Sequence, residues 1–435
     1  MKRSDILSWG RVDRRRQYVA KPHFRDELPE LIAEPKWKDK LAIGLRRSYG
    51  DSCLNSAGAV IDATGLDRFI AFDPRTGLLR AEAGVSLSNV LQLVVPKGWF
   101  LPTTPGTRFV TLGGAVANDV HGKNHHSAGS FGASVLAFGL QRSDRGRATV
   151  TPETEPDIFN ATVGGLGLTG AIEWVEFALA PIPSSFLDVE IAPFESLEAF
   201  WSLAADSVGS HEHTVAWIDC ATSRGRGVFT RANWASSGGL APRDDRSFRA
   251  IPFCFPGFAL NRLSVGAFNE FYYRLHKIKA ARQTQDYQTY FYPLDSIRHW
   301  NRLYGARGMR QYQCVIPRGE ERLALSAMLA EIAQTGMASF LAILKTFGDK
   351  PSPGLLSFPR PGTPLALDFP NRGESTLSLM SRLDAIVREA RGALYPAKDG
   401  RMPAEMFRLS FPQWETFAQL KDPAMNSDFW RRVSQ

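Results

Sequence analysis

Three glycine-rich stretches fall within the first 170 residues: GLRRSYGD (44–51), PGTRFVTLGG (105–114) and GGLGLTG (164–170). Glycine sets of this kind mark backbone that turns through positive φ or presses against a ligand, because no Cβ stands in the way. None reads as GxGxxG between a strand and a helix, and none as GxxxxGK[ST]. A phosphate-bearing ligand, if held here, is held by an architecture other than a Rossmann unit or a P-loop.

The second stretch runs into VANDVHGKNHHSAGSFG (116–132), which contains His121, His125 and His126. Zinc needs three or four ligands at fixed spacing. His125 and His126 are adjacent and point apart, and Asp119 is the one carboxylate in the stretch, so no metal is expected. Gly113, Gly114, Gly122, Gly129 and Gly132 bracket the histidines. The residues alone leave two readings open: a tight turn in a β-rich core, or a loop whose amides face a ligand.

A chain of 435 residues exceeds what one core usually serves, so two domains are expected. Its formal charge of +8 fits phosphate-bearing ligands or an anionic membrane surface. The arginines are dispersed apart from Arg14, Arg15 and Arg16, which speaks against a nucleic-acid partner. Cys53, Cys220, Cys254 and Cys314 lie far apart, so neither a disulfide framework nor a zinc site is expected. With no apolar run long enough to cross a bilayer and no leader-like start, a cytoplasmic location is expected, at most peripheral to the membrane.

Short β-type runs (LAIGL, AVIDA, LLRAEAG, IEWVEFALA) dominate residues 40–180, with one helix after a capping Ser86. Later the order becomes β-α-β-β-α-β: strands at 311–317, 339–348, 364–370 and ALYPA, helices from Glu320 and after Ser375. This split βαβ pattern predicts two helices on one face of an antiparallel sheet. Residues 235–285 combine prolines, glycines, Phe253, Phe255, Phe258, Phe268 and Tyr272 with basic side chains and have poor periodicity. They are expected to form a long mobile loop that meets the membrane surface.

GLRRSYGD, PGTRFVTLGGAVANDVHGKNHHSAGSFG and ATVGGLGLTGAI together resemble the FAD-binding domain of the vanillyl-alcohol oxidase superfamily, PCMH type. Within it the sequence is most similar to the decaprenylphosphoryl-β-D-ribose 2-oxidases, through SWGR (8–11), FYPLDSIRHWNRLYG (291–305), QYQCVIP, ILKTFG, LSFPRPGTPLALDFP and LYPAKDGR. The likeness covers nearly the whole chain. It implies an α+β protein in which 1–185 and 393–435 form a two-part FAD-binding domain, and 186–392 an antiparallel-sheet cap for substrate. It further implies that non-covalent FAD lies against Gly44, Leu45, Arg46, Arg47, Ser48, Tyr49, Gly50, Asp51 and Ser52. The remaining cofactor contacts would be Gly106, Thr111, Leu112, Gly113, Gly114, Asn118, Asp119, Val120, His121, Ile172 and Tyr395. His121 matches the position that some superfamily members bond to flavin; His125 and His126 are read as structural.

By the same resemblance Lys398 stands at the flavin face as the catalytic amine, with Tyr49 and His121 beside it, and Gln311, Gln313, Lys345 and Ala366 line the substrate pocket. From the residues alone Lys398 reads equally as a surface lysine after a strand. The family loop usually has glycine where Arg46 stands, and mycobacterial members carry cysteine where Ala366 stands. The implied activity is oxidation of a secondary hydroxyl, C2′ of a polyprenyl-phosphoryl pentose, to a ketone. A separate NAD(P)H-dependent reductase would complete the epimerisation to an arabinose donor. An oxidase of soluble sugars or alditols, or a flavin-binding subunit without turnover, remain the alternatives.

Overall fold

The computed structural model describes residues 2–241, 249–278 and 281–435. Within them the N-terminal third builds two sheets. The first contains β1 (Lys2–Leu7), β2 (Arg14–Ala20), β3 (Lys40–Ile43) and β4 (Ala59–Asp62), in the order β1-β2-β4-β3 and with β4 parallel to both neighbours. The second is antiparallel and contains β5 (Phe69–Asp73), β6 (Leu78–Glu82), β7 (Val135–Arg142), β8 (Gly146–Val150) and β9 (Ala171–Ala178). Two short helices lead into the glycine stretches. In α1 (Leu87–Val94) the Ser86 hydroxyl accepts from Asn89 N–H at 3.1 Å, and α2 (Leu112–Ala117) is capped by Thr111 in the same way. Each cap satisfies an amide that a helix start would otherwise leave unpaired.

From Phe186 the chain enters a large antiparallel sheet. Its strands are β10 (Phe186–Phe194), β11 (His213–Ile218), β12 (Gly227–Trp234), β13 (Arg282–Asp286), β14 (Met309–Pro317), β15 (Ala342–Leu344), β16 (Gly362–Pro370) and β17 (Ala393–Leu394). Their order is β13-β10-β12-β11-β15-β16-β14-β17. Helices α3 (Leu197–Ser207), α5 (Glu321–Thr335) and α6 (Glu374–Glu389) supply Phe200, Leu325, Met328, Leu329, Leu379 and Leu383 to the core beneath it. The expected β-α-β-β-α-β order is present. The strand expected over 339–348 is shorter, however, because the Ser339 hydroxyl binds both backbone groups of Leu341 and Gly348 N–H turns to His125.

Residues 235–285 are not a continuous loop. They contain a 17-residue helix, α4 (Arg262–Ile278), and most of β13; 242–248, 279 and 280 lie outside the described residues. Asn261 caps α4 by accepting from Leu263 and Ser264 N–H. Val265, Asn269 and Tyr273, one helical turn apart, are buried, and Tyr273 packs with Trp217 and Val228. The period was hidden because Asn269 interrupts the buried stripe while Leu263, Phe271 and Ile278 make the outer face apolar too. Asn269 Nδ2 donates to Asp219 at 2.8 Å.

The C-terminal segment returns to the first two sheets. Asp422 accepts from Ser143 N–H and Oγ at 2.7 and 2.6 Å, Arg142 donates to Leu420 O, and Arg432 grips Asp51 at 2.7 Å. No helix among the described residues is long and apolar enough to cross a membrane.

Candidate active site

The glycine loops, β14, β16 and the turn after β17 enclose a cavity of about 360 Å³. One set of lining residues comes from the glycine loops and their flanks: Gly44–Ser48, Ser52, Gly106, Thr111, Gly113, Gly114, Asn118, Val120, His121 and Ile172. Here the first two glycine loops are pressed together, since a Cβ on Gly44 would stand 2.2 Å from Thr111 Oγ1. At Gly106 a Cβ would meet nothing within 4 Å. Arg46 keeps the left-handed backbone of a glycine, φ 55°, with an exposed side chain that still lines the cavity. Arg47 instead stacks its guanidinium on Trp9, 4.2 Å from the ring centre.

Arg46→Gly is therefore expected to relieve about 1 kcal/mol of backbone strain and raise the melting temperature of cofactor-free protein by ~1 °C. Thermal melts of both proteins without cofactor check this. A lower melting temperature would show instead that the Arg46 side chain holds the loop.

The second set is polar and comes from four places. β14 and β16 pair so that Gln311 faces Asp368 and Gln313 faces Ala366, and strand alternation turns all four toward the cavity. Gln311 Nε2 donates to Asp368 at 2.5 Å, and Gln313 Nε2 to His121 Nε2 at 3.0 Å. Tyr49 N–H donates to Ala397 O, which zips the first glycine loop to the turn carrying Lys398. The Lys398 Nζ sits 4.3 Å from the centre of the Tyr49 ring. Burial pulls the Lys398 ammonium down to about 8, with Asp368 pulling it back up, and burial then Lys398 bring Lys345 to about 8. Burial pushes the Asp368 carboxyl up to about 7. His121 is driven well below its usual range, by burial first and Lys345 next, and is a neutral imidazole near pH 7. The Tyr49 phenol is pushed well above its usual value by burial.

Four expected cofactor contacts stand behind the wall and do not line the cavity. Gly50 is pinned against the 399–400 turn, where a Cβ would lie 1.7 Å from Asp399 O. Asp51 is paired with Arg432, and Leu112 is fully buried core. Asp119, at φ 39°, accepts from Gly132 N–H at 2.8 Å and Ser357 Oγ at 2.6 Å, and so ties the histidine loop to the segment before β16. His125 packs on Phe347 with ring centres 4.3 Å apart and accepts from Gly348 N–H; His126 Nε2 bonds His211 O. Tyr395 lines the cavity and donates to Asn118 O at 2.9 Å.

The sequence reading missed Asp368, Trp9 and Trp300 as wall residues. Asp368 carried a usable signal: it lies two positions from Ala366 on one strand, hence on the same face. Trp300 comes from a short helical turn whose packing nothing local announces.

Residues 17–147 match the family described as FAD binding domain. The chain is 34% identical to decaprenylphosphoryl-beta-D-ribose oxidase of Mycolicibacterium smegmatis, over 98% of this chain and 97% of that protein. It is 32% identical to an uncharacterized protein of Streptomyces coelicolor over 80% of this chain and all of that one. A putative D-arabinono-1,4-lactone oxidase of Neurospora crassa is 27% identical over 40% of this chain and 34% of its own. The cavity fits an FAD. Ser52 Oγ, His121 Nδ1 and Gln311 Oε1 are buried polar atoms of lining residues without a protein partner, as a polar ligand edge requires. Beside them Gly106 leaves open space, since a Cβ there would meet nothing within 4 Å.

Proposed function

This chain belongs to the decaprenylphosphoryl-β-D-ribose oxidase family, and from that premise we propose how its cavity oxidises the C2′ hydroxyl of a polyprenyl-phosphoryl pentose. The observation that carries the reading is one cavity joining the glycine loops to a half-buried lysine, a buried tyrosine, two glutamines and a buried carboxylate. Bound FAD supplies the acceptor for the hydride lost from the carbinol carbon. The 44–52 and 105–121 loops hold that cofactor, with Ile172 and Tyr395 against it. Residues 1–185 and 393–435 act as one FAD-binding domain, and 186–392 is the cap that closes over substrate.

Lys398 is the group that meets the substrate hydroxyl. An amine held near neutrality by burial takes a proton where an exposed lysine would not. Gln311 and Gln313 orient the sugar, Lys345 faces its phosphate or ring oxygens, and Tyr49 fixes the Lys398 amine from below. Ala366 leaves room without adding a nucleophile, and oxidation of an alcohol needs none. The product ketone becomes the substrate of a separate NAD(P)H-dependent reductase, which restores the hydroxyl with the opposite configuration. Incubating the enzyme with a short-chain polyprenyl-phosphoryl ribose, free ribose or an alditol tests the substrate class. Mass spectrometry is expected to find the keto sugar from the first alone. Equal turnover of free sugars would overturn it.

His121 carries no bond to flavin in this reading. Acid precipitation of the purified protein is expected to leave the yellow colour in the supernatant; colour on the pellet would place a covalent link at His121.

The apolar outer face of α4 and the segment before it form the membrane contact. Phe253, Phe258, Leu263, Phe271 and Ile278 are exposed here beside Arg274 and Lys277, the composition of an interfacial helix. The Leu263→Asp, Phe271→Asp double variant is expected to lose sedimentation with anionic vesicles while keeping its fold and colour. Unchanged sedimentation would place the contact elsewhere.

A further inference from the structure

Asp368 is a buried carboxylate that the steps above leave unused. It is 2% exposed, and its side chain accepts from Gln311 Nε2 while its backbone N–H is held by Ser339 Oγ. No arginine or lysine among the described residues lies within ion-pair distance of it. A carboxylate removed from water costs free energy unless a positive charge answers it. Lys398 lines the same cavity as Asp368, and it is the positive charge that acts on Asp368, as Asp368 is the carboxylate that acts on Lys398. The other titratable groups facing the pair are the phenols of Tyr49 and Tyr304, the Lys345 amine and the neutral His121 ring. Of the two amines in this polar set, Lys398 is the one that Asp368 acts on, while Lys345 is governed by burial and by Lys398. Asp295, the other acid of the wall, is occupied by Thr107 Oγ1 and Arg108 N–H.

We propose that Asp368 is the positioning residue that keeps Lys398 basic enough to take the substrate hydroxyl proton, and that it then neutralises the ammonium so formed. The inference rests on the reading of Lys398 given above. In the proton step the substrate O–H bond breaks and a Lys398 N–H bond forms. The electron pair of the O–H bond stays on oxygen and becomes the second carbonyl bond as hydride leaves for the bound FAD. Asp368 exchanges no bond; its negative charge lowers the free energy of the protonated amine. Register places the device: Asp368 sits opposite Gln311 on neighbouring strands, so the glutamine that orients the sugar also fixes the carboxylate.

Asp368→Asn tests the charge alone, because the amide oxygen still accepts from Gln311 and the shape is unchanged. Two pH profiles are measured on FAD-loaded wild type and variants: the rate of flavin reduction by a polyprenyl-phosphoryl ribose, and acetylation of Lys398 by acetic anhydride without substrate, read by mass spectrometry. Loss of the negative charge makes Lys398 easier to deprotonate. The acid limb of the rate profile and the Lys398 labelling midpoint are both expected to move down by about one pH unit. The plateau rate is expected to fall on the order of tenfold as the base weakens. Asp368→Glu, which keeps the charge, is expected to leave both midpoints near those of wild type. Unmoved midpoints in Asp368→Asn, or equal movement in both variants, would overturn the proposal. If phosphoryl ribose fails to reduce wild-type flavin, the substrate reading fails, while the labelling midpoints still decide the role of Asp368.

Discussion

Lys398→Ala is expected to fold, purify yellow and lose about 10² to 10⁴ of the rate at which substrate reduces the flavin. The size follows from the position of the amine: half-buried in the cavity wall, over the Tyr49 ring, on a turn whose own N–H is bound to Tyr395 O. Truncation removes the proton acceptor without disturbing the backbone that holds it. Lys398→Arg separates two roles. Guanidinium does not give up its proton in proteins, so an arginine enzyme that keeps substantial activity would show that positive charge beside a developing alkoxide suffices. An arginine enzyme as slow as the alanine one would show that a neutral amine is required. Stopped-flow flavin reduction under anaerobic conditions measures both. Alanine protein reduced at the wild-type rate would remove Lys398 from the chemistry.

The second large effect belongs to a buried ion pair. Arg401 NH1 and NH2 meet Asp384 at 2.6 and 2.7 Å, with the two side chains only 11% and 14% exposed. The pair joins α6 to the turn that carries Lys398, and the Asp399 carboxylate anchors the same turn through Arg401 N–H at 2.8 Å. Asp384→Ala leaves a guanidinium in the interior without its partner, and is expected to cost about 3–5 kcal/mol of unfolding free energy. Replacing both members by apolar residues, Asp384→Leu with Arg401→Met, is expected to recover much of that loss, because no charge is then stranded. Urea unfolding of the FAD-loaded proteins measures the difference. A single variant within ~1 kcal/mol of wild type would show that water reaches the pair and screens it.

What the sequence displayed, and what it hid, follows the range of the forces involved. The glycine loops were legible because their glycines recur in compact sets, and Gly44, Gly106, Thr111 and Gly114 line the cavity. The β14-α5-β15-β16-α6-β17 order was legible because buried faces repeat at the period of each element. Gly50, Asp51, Leu112 and Asp119 were read as ligand contacts because they share those motifs, yet they act one layer behind it. Asp51 meets Arg432, 381 positions away, a pairing that no local pattern encodes. α4 was lost because its buried stripe contains Asn269, which donates to Asp219 at a distant strand end, and because its outward side is apolar as well. Asp368 was overlooked although alternation along β16 placed it beside Ala366. Its proposed role rests on the lack of an arginine or lysine within ion-pair distance among the described residues and on Lys398 in the same cavity wall, and both belong to the folded cavity.

The central claim is that a single cavity brings FAD, a lipid-linked phosphoryl pentose and Lys398 together. Anaerobic titration of the yellow wild-type protein with polyprenyl-phosphoryl ribose, followed by flavin absorbance, tests it most directly. The account predicts stoichiometric bleaching by the phosphoryl ribose, none by free ribose, and none on the same timescale in Lys398→Ala. Flavin that stays oxidised in wild type with the lipid-linked sugar present, or that bleaches equally with the free sugar, would contradict it.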